Sequence, residues 1–150
     1  MLHSALLLSA LTTSSMTTVT AAPAPPLPEP AKKVKPAGPH DWITEHPTIQ
    51  RLVSLTNNHR IRSGRAPVAL NPQLCADAQR HADWMARTGV YRHSSLPYRE
   101  IIFRGPTNAD AAVRGWIYSP AHHGILLSGR ECGFGYMKRN GVCYWVGVFR

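Results

Sequence analysis

The chain has 150 residues, one domain's worth, with 17 Lys and Arg against 8 Asp and Glu, a formal charge of +9. No apolar run approaches the ~20 residues of a membrane-spanning helix, and no nucleic-acid motif accompanies the basic balance. The charge therefore reads as solubility plus non-specific attraction to polyanions such as acidic envelope polymers.

Residues 1–21 carry a short apolar run, ALLLSAL, then a Ser/Thr stretch, with Val19 and Ala21 set for cleavage before Ala22. This pattern is that of a secretory signal peptide, although the start holds His3 and no Lys or Arg. Residues 22–46 open with APAPPLPEPAKKVKPAGP, a Pro-rich linker that favours extended polyproline conformation and cannot bury a core. An exported protein held at the cell envelope or secreted is the layout expected, with no membrane span in the mature chain.

Folded structure is expected from Pro47 onward. His46-Pro47 opens a helix with Ile49, Leu52, Val53 and Thr56 on one face, ending before Gly64. After a short extended crossing, RAPVALNP, Asn71 caps a second helix with Pro72 in its first turn. Its apolar stripe runs through Leu74, Cys75, Ala78, Ala82, Met85 and Ala86, and Gly89 closes it. His59 and His81 read as surface residues of these two helices.

Residues 98–103, YREIIF, alternate as a short strand, with Glu100 and Ile102 on one face and Ile101 and Phe103 on the other. Thr107 with Asp110 is expected to cap a third helix bearing Ala109, Ala112, Val113 and Trp116. Ser119-Pro120 starts a short fourth helix, with Ser119 in the cap role. Asn140-Gly141 then marks a two-residue hairpin between GFGYMK and VCYWVGVF. Helices and strands are segregated, so the class is α+β with a small antiparallel sheet.

The hairpin also bears on the three cysteines, an odd number. Its register places Lys138 opposite Cys143 and Cys132 near Phe149. Cys132 and Cys143 are then offset by about 17 Å along the strands, beyond disulfide reach. Whether Cys75 pairs with either stays open.

The order of these motifs resembles the CAP domain shared by cysteine-rich secretory, antigen 5 and plant pathogenesis-related proteins. The likeness rests on Asn57 or Asn58 with Arg60, Gly64, Pro67, the Ala-rich helix to Gly89, and His93-Ser94. It continues through Arg99 to Ile102, then Trp116, Ser119, Pro120 and His122, and closes on Gly133 to Gly135 and Tyr144 to Phe149. It covers residues 47–150 and implies a three-layer α-β-α sandwich, usually secreted, with a central cleft.

In that family two His and two Glu commonly converge in the cleft and can hold a divalent metal. Matched by position, the cleft residues are His93, Glu100, Ser119 and His122, with Ser119 standing where many eukaryotic members have the second Glu. The implied metal set is His93, Glu100 and His122, two imidazoles and a carboxylate that suit zinc and leave positions for water. His123 points about 100° away from His122 on the same helix. Two functions are compatible with this set. One is a secreted binding module whose cleft holds a metal, lipid or partner peptide. The other is a weak metal-assisted or His/Glu hydrolase, with Ser94, Ser95 or Ser119 as nucleophile or a metal-bound water in that role. Ile101 in place of the family's Asn, and the missing second Glu, weigh against an inherited reaction.

Overall fold

The computed structural model describes residues 38–150; the signal-peptide reading of residues 1–21 and most of the Pro-rich linker lie outside the described residues. Packing begins upstream of Pro47. Asp41–Thr44 forms one turn of helix, α1, and Ile43 within it is 2% exposed. The remaining helices are α2 (Pro47–Arg62), α3 (Pro72–Thr88), α4 (Ala109–Tyr118) and α5 (Pro120–Leu126). The strands are β1 (Ala69–Leu70), β2 (Arg99–Gly105), β3 (Glu131–Arg139) and β4 (Val142–Phe149).

Local chemistry sets most helix ends. His46 caps α2 with its ring, Nδ1 accepting from the Thr48 N–H at 3.2 Å, and Asn71 caps α3 by accepting from Gln73 and Leu74. Two expected caps differ. The α4 cap is Asn108, whose Oδ1 accepts from Ala111 N–H at 2.8 Å, one residue beyond Thr107. Both residues can cap, and the chain uses the one whose side chain meets the free N–H. Ser119 occupies the α5 cap position, but its hydroxyl makes no cap bond.

The sheet has the order β1-β3-β4-β2. β4 pairs antiparallel with both β3 and β2, while the two-residue β1 adds in parallel to β3, so the sheet is mixed rather than wholly antiparallel. The β3–β4 turn places Asn140 (φ 49°) and Gly141 (φ 77°) in the left-handed region, as an Asn-Gly hairpin turn requires. Its register puts Lys138 opposite Cys143 and Cys132 opposite Phe149. All three cysteines are free and buried, and burial pushes the Cys75 thiol up to about 11 and Cys132 to about 12.

Helices cover both faces, which makes the three-layer sandwich. On one face, Leu74, Ala78, Ala82 and Met85 of α3 pack on Ile102, Tyr144, Val146 and Val148. α3 lies directly on the β3 backbone: a Cβ at Gly133 would sit 2.1 Å from the Leu74 carbonyl carbon, and one at Gly135 2.3 Å from Gln79 N. On the other face, Ile49, Leu52, Trp116 and Leu126 meet Ile101, Phe134, Trp145 and Phe149. Trp116 and Trp145 are core residues, as their sequence context predicts.

Arg60 continues the buried face of α2 and is 3% exposed. Its guanidinium donates to the carbonyls of Ala66, Leu126, Ser128 and Gly129 at 2.8–3.1 Å. It thus ties α2 to the end of α5 and the approach to β3. Beside it, Asn57 exchanges two hydrogen bonds with the backbone of Val68.

Candidate functional site

β2 is an edge strand, and the segment 90–98 returns alongside it. Pro97 and the bend at 96–98 keep residues 93–98, HSSLPY, from forming regular structure. The segment is held instead by Glu100, which stands at the start of β2 and is 8% exposed. Glu100 Oε1 accepts from His93 Nδ1 at 2.8 Å and from the Ser94 backbone N–H at 2.9 Å. Its Oε2 accepts from the Ser94 hydroxyl at 2.5 Å. One carboxylate thereby folds six residues into a loop.

These bonds set the chemistry of the ring. With Nδ1–H directed at the carboxylate, His93 keeps Nε2 as a lone-pair donor. His93 is the exposed member of the pair, its side chain 55% accessible. His122 reaches the same place from α5, with ring centroids 6.4 Å apart and planes at 56°. Its Nδ1 is buried with no hydrogen-bond partner. Burial, and then the neighbouring His93, hold the His122 pKa below the usual histidine value, which favours the neutral, ligand-competent ring.

The structure thus brings His93, Glu100 and His122 to one edge of the sheet, with Ser119 at the α4–α5 junction just ahead of His122. Glu100 has both oxygens engaged by protein donors. Among the described residues, no three His, Cys, Asp or Glu side chains are grouped to hold a metal ion. The donor set fits a two-imidazole arrangement with Glu100 behind His93, and the orphaned His122 Nδ1 is the atom that speaks for it.

Ser94 is poorly placed as a nucleophile. Its hydroxyl donates to Glu100 and accepts from Leu96 N–H at 3.2 Å. Ser95 is exposed and lines the neighbouring cavity. That cavity, about 470 Å³, opens beside His93 and is lined by His81, Trp84, Arg92, His93, Ser94 and Ser95.

His81 overturns its surface reading. It is 9% exposed, with Nε2 2.9 Å from the Arg92 carbonyl and 3.9 Å from Glu100 Oε1. It stacks on Trp84 at 5.6 Å, and Arg92 lies 5.1 Å from the Trp84 ring centroid. His81 lies one turn beyond Ala78 on the α3 stripe, and that spacing was the available signal. His59 is likewise not a free surface residue. Its Nε2 lies 2.8 Å from His123 Nε2, so the adjacent residues His122 and His123 of α5 serve the cleft and α2 respectively. Only the packing of α2 against α5 reveals that pair.

The fold agrees with the family comparison. A model of the cysteine-rich secretory protein family, CAP, matches residues 53–149, and the chain belongs to this family. Solved structures share the fold. An outer surface protein from Borrelia burgdorferi has TM-score 0.61 at 18% identity, covering 67% of this chain and 89% of its own. A Bacillus anthracis extracellular protein containing an SCP domain has TM-score 0.60 at 20% identity, covering 78% of this chain and 45% of its own. A Staphylococcus aureus cysteine-rich secretory protein has TM-score 0.50 at 16% identity, covering 69% of this chain and 39% of its own. The chain therefore spans less than half of the latter two. No curated protein matches it significantly.

Proposed function

We propose that this chain is an exported CAP-domain binding module whose cleft holds a divalent metal such as zinc between His93 and His122. The unpartnered, buried Nδ1 of His122, in a ring whose centroid lies 6.4 Å from that of the oriented His93, carries the reading. The two imidazoles supply the donors, and Glu100 fixes the His93 tautomer through Nδ1, as outer carboxylates do for metal-bound histidines. Zinc held this way would keep open positions for the polar group of a ligand. The mostly polar lining of the adjoining cavity supports a polar ligand over a lipid chain. Export is supported by the signal-peptide-like start, by the family, and by relatives described as outer surface or extracellular. Among the described residues no helix is long and apolar enough to cross a membrane.

A thermal-melting titration with zinc tests this. Zinc at roughly 100 times Kd should add about 2.7 kcal/mol of stability, which raises Tm by several degrees. The shift should vanish in His93→Ala and His122→Ala. An unchanged wild-type Tm at millimolar zinc sinks the metal reading.

A further inference from the structure

A second cavity lies toward the opposite end of β2. Glu100 and Arg104 are four residues apart on the same strand, about 13 Å, and both belong to the α3 face. Past the end of α3, where Gly89 turns the chain at φ 74°, a cavity opens whose lining includes Val142 and the buried Tyr144. The opening has a volume of about 320 Å³ and is lined by Arg87, Arg104 and Arg139.

Each arginine comes from a different element. Arg87 is in the last turn of α3, Arg104 lies opposite Tyr144 in β2, and Arg139 lies opposite Val142 at the hairpin end. Residues opposite each other on neighbouring strands share a face, so Arg104 and Arg139 rise on the side of Tyr144 and Val142. The Arg104 guanidinium carbon is 5.5 Å from the Tyr144 ring centroid. Arg139 Nη1 donates at 3.4 Å to the Arg87 carbonyl, covering a helix-terminal oxygen that would otherwise repel an anion. No Asp or Glu lines this cavity, and among the described residues none of the three arginines is in an ion pair. Asp83 lines the adjoining cavity together with Arg87, Lys138 and Arg139, accepts from Gln79 at 2.8 Å and forms no ion pair among the described residues.

We propose that Arg87, Arg104 and Arg139 form an anion site for a phosphoryl group. Three guanidiniums lining one cavity that no carboxylate lines match a tetrahedral oxyanion through paired N–H donors. The apolar floor at Tyr144 and Val142 would carry whatever the phosphoryl group is attached to. This site is independent of any metal at His93 and His122.

Pyrophosphate, titrated calorimetrically into the full chain at low ionic strength, is the probe. Arg87→Ala, Arg104→Ala and Arg139→Ala should each weaken binding by roughly five- to tenfold. Arg114→Ala, an equal charge change at an exposed position of α4, should leave it unaltered, with all four variants melting as the wild type does. Absence of pyrophosphate binding, or an equal loss in Arg114→Ala, overturns the proposal. Flotation with phosphatidylglycerol and phosphatidylcholine vesicles identifies the source. Capture by phosphatidylglycerol alone, lost in Arg104→Ala, assigns a lipid headgroup; pyrophosphate binding without capture assigns a soluble phosphate ester.

Discussion

His93 is oriented by Glu100: its Nδ1 lies 2.8 Å from Oε1, and the same carboxylate accepts twice from Ser94. Hydrogen bonds to a charged group contribute about 1.5–3 kcal/mol each when intact, and losing the acceptor strands the half-buried Ser94 N–H. Glu100→Ala should therefore cost about 2–4 kcal/mol in urea unfolding. Glu100→Gln, which keeps an acceptor for His93 and Ser94, should cost clearly less. Equal losses would mean that the loop does not depend on the carboxylate.

Arg60 should be among the least replaceable residues outside the cleft. Four carbonyls converge on its guanidinium, and removing it leaves buried acceptors without donors. Arg60→Ala is expected to destabilise by about 3–5 kcal/mol, or to prevent folding. Arg60→Lys should recover little of this, because one ammonium cannot span the fork. Urea midpoints of the two variants check both statements.

Acid should weaken the fold through His59. Burial, then His123 and Arg62, lower its pKa below the usual value of 6.5. The unfolded chain then binds the proton more readily than the folded one, so this contribution is intact above 6.5. It is lost as pH falls from there towards the depressed folded pKa. His59→Gln removes the titration while leaving a donor for His123. The Tm of the wild type should fall more steeply than that of His59→Gln between pH 7 and 5, and parallel curves would exclude His59 as a source.

Two glycines should respond in opposite directions. Gly133→Ala drives a Cβ against the α3 backbone and should lower soluble yield, or cost more than ~3 kcal/mol. Gly124, inside α5, has nothing within 4 Å of an added Cβ. Gly124→Ala should stabilise by about 0.5–1 kcal/mol. Thermal melts of the pair test whether α3 really rests on β3.

The thiols should be silent until the chain unfolds. Cys75, Cys132 and Cys143 are all at most 1% exposed, and burial raises the pKa of each. A thiol reagent should find none in the native protein and three after denaturation. Finding one after denaturation would reveal a disulfide involving Cys75.

Much of this was legible in the sequence because it is local. Asn140-Gly141 fixed a register that holds residue for residue, and strand alternation put Glu100 beside Ile102 and opposite Ile101 and Phe103. That His93, Glu100 and His122 meet in one cleft was an implication of the resemblance to the CAP domain, not of local pattern. What escaped depends on contacts between distant segments. His81 looks exposed until Glu100 and Arg92 are beside it. Arg60 continues the stripe of Leu52 and Thr56 at helical spacing, but a charge there signals burial only once four carbonyls are seen to meet it. The pairing of His59 with His123 needs two helices to pack.

Strand order has a consequence for how the chain acquires its shape. β4 lies between β3 and β2, yet follows both in the chain. As the polypeptide emerges, β2 has no neighbour until residues 142–149 arrive to separate it from β3. Assembly of this sheet is therefore a late event, governed by non-local closure. Loss of a few residues from β4 would remove the seam of the sheet rather than its margin.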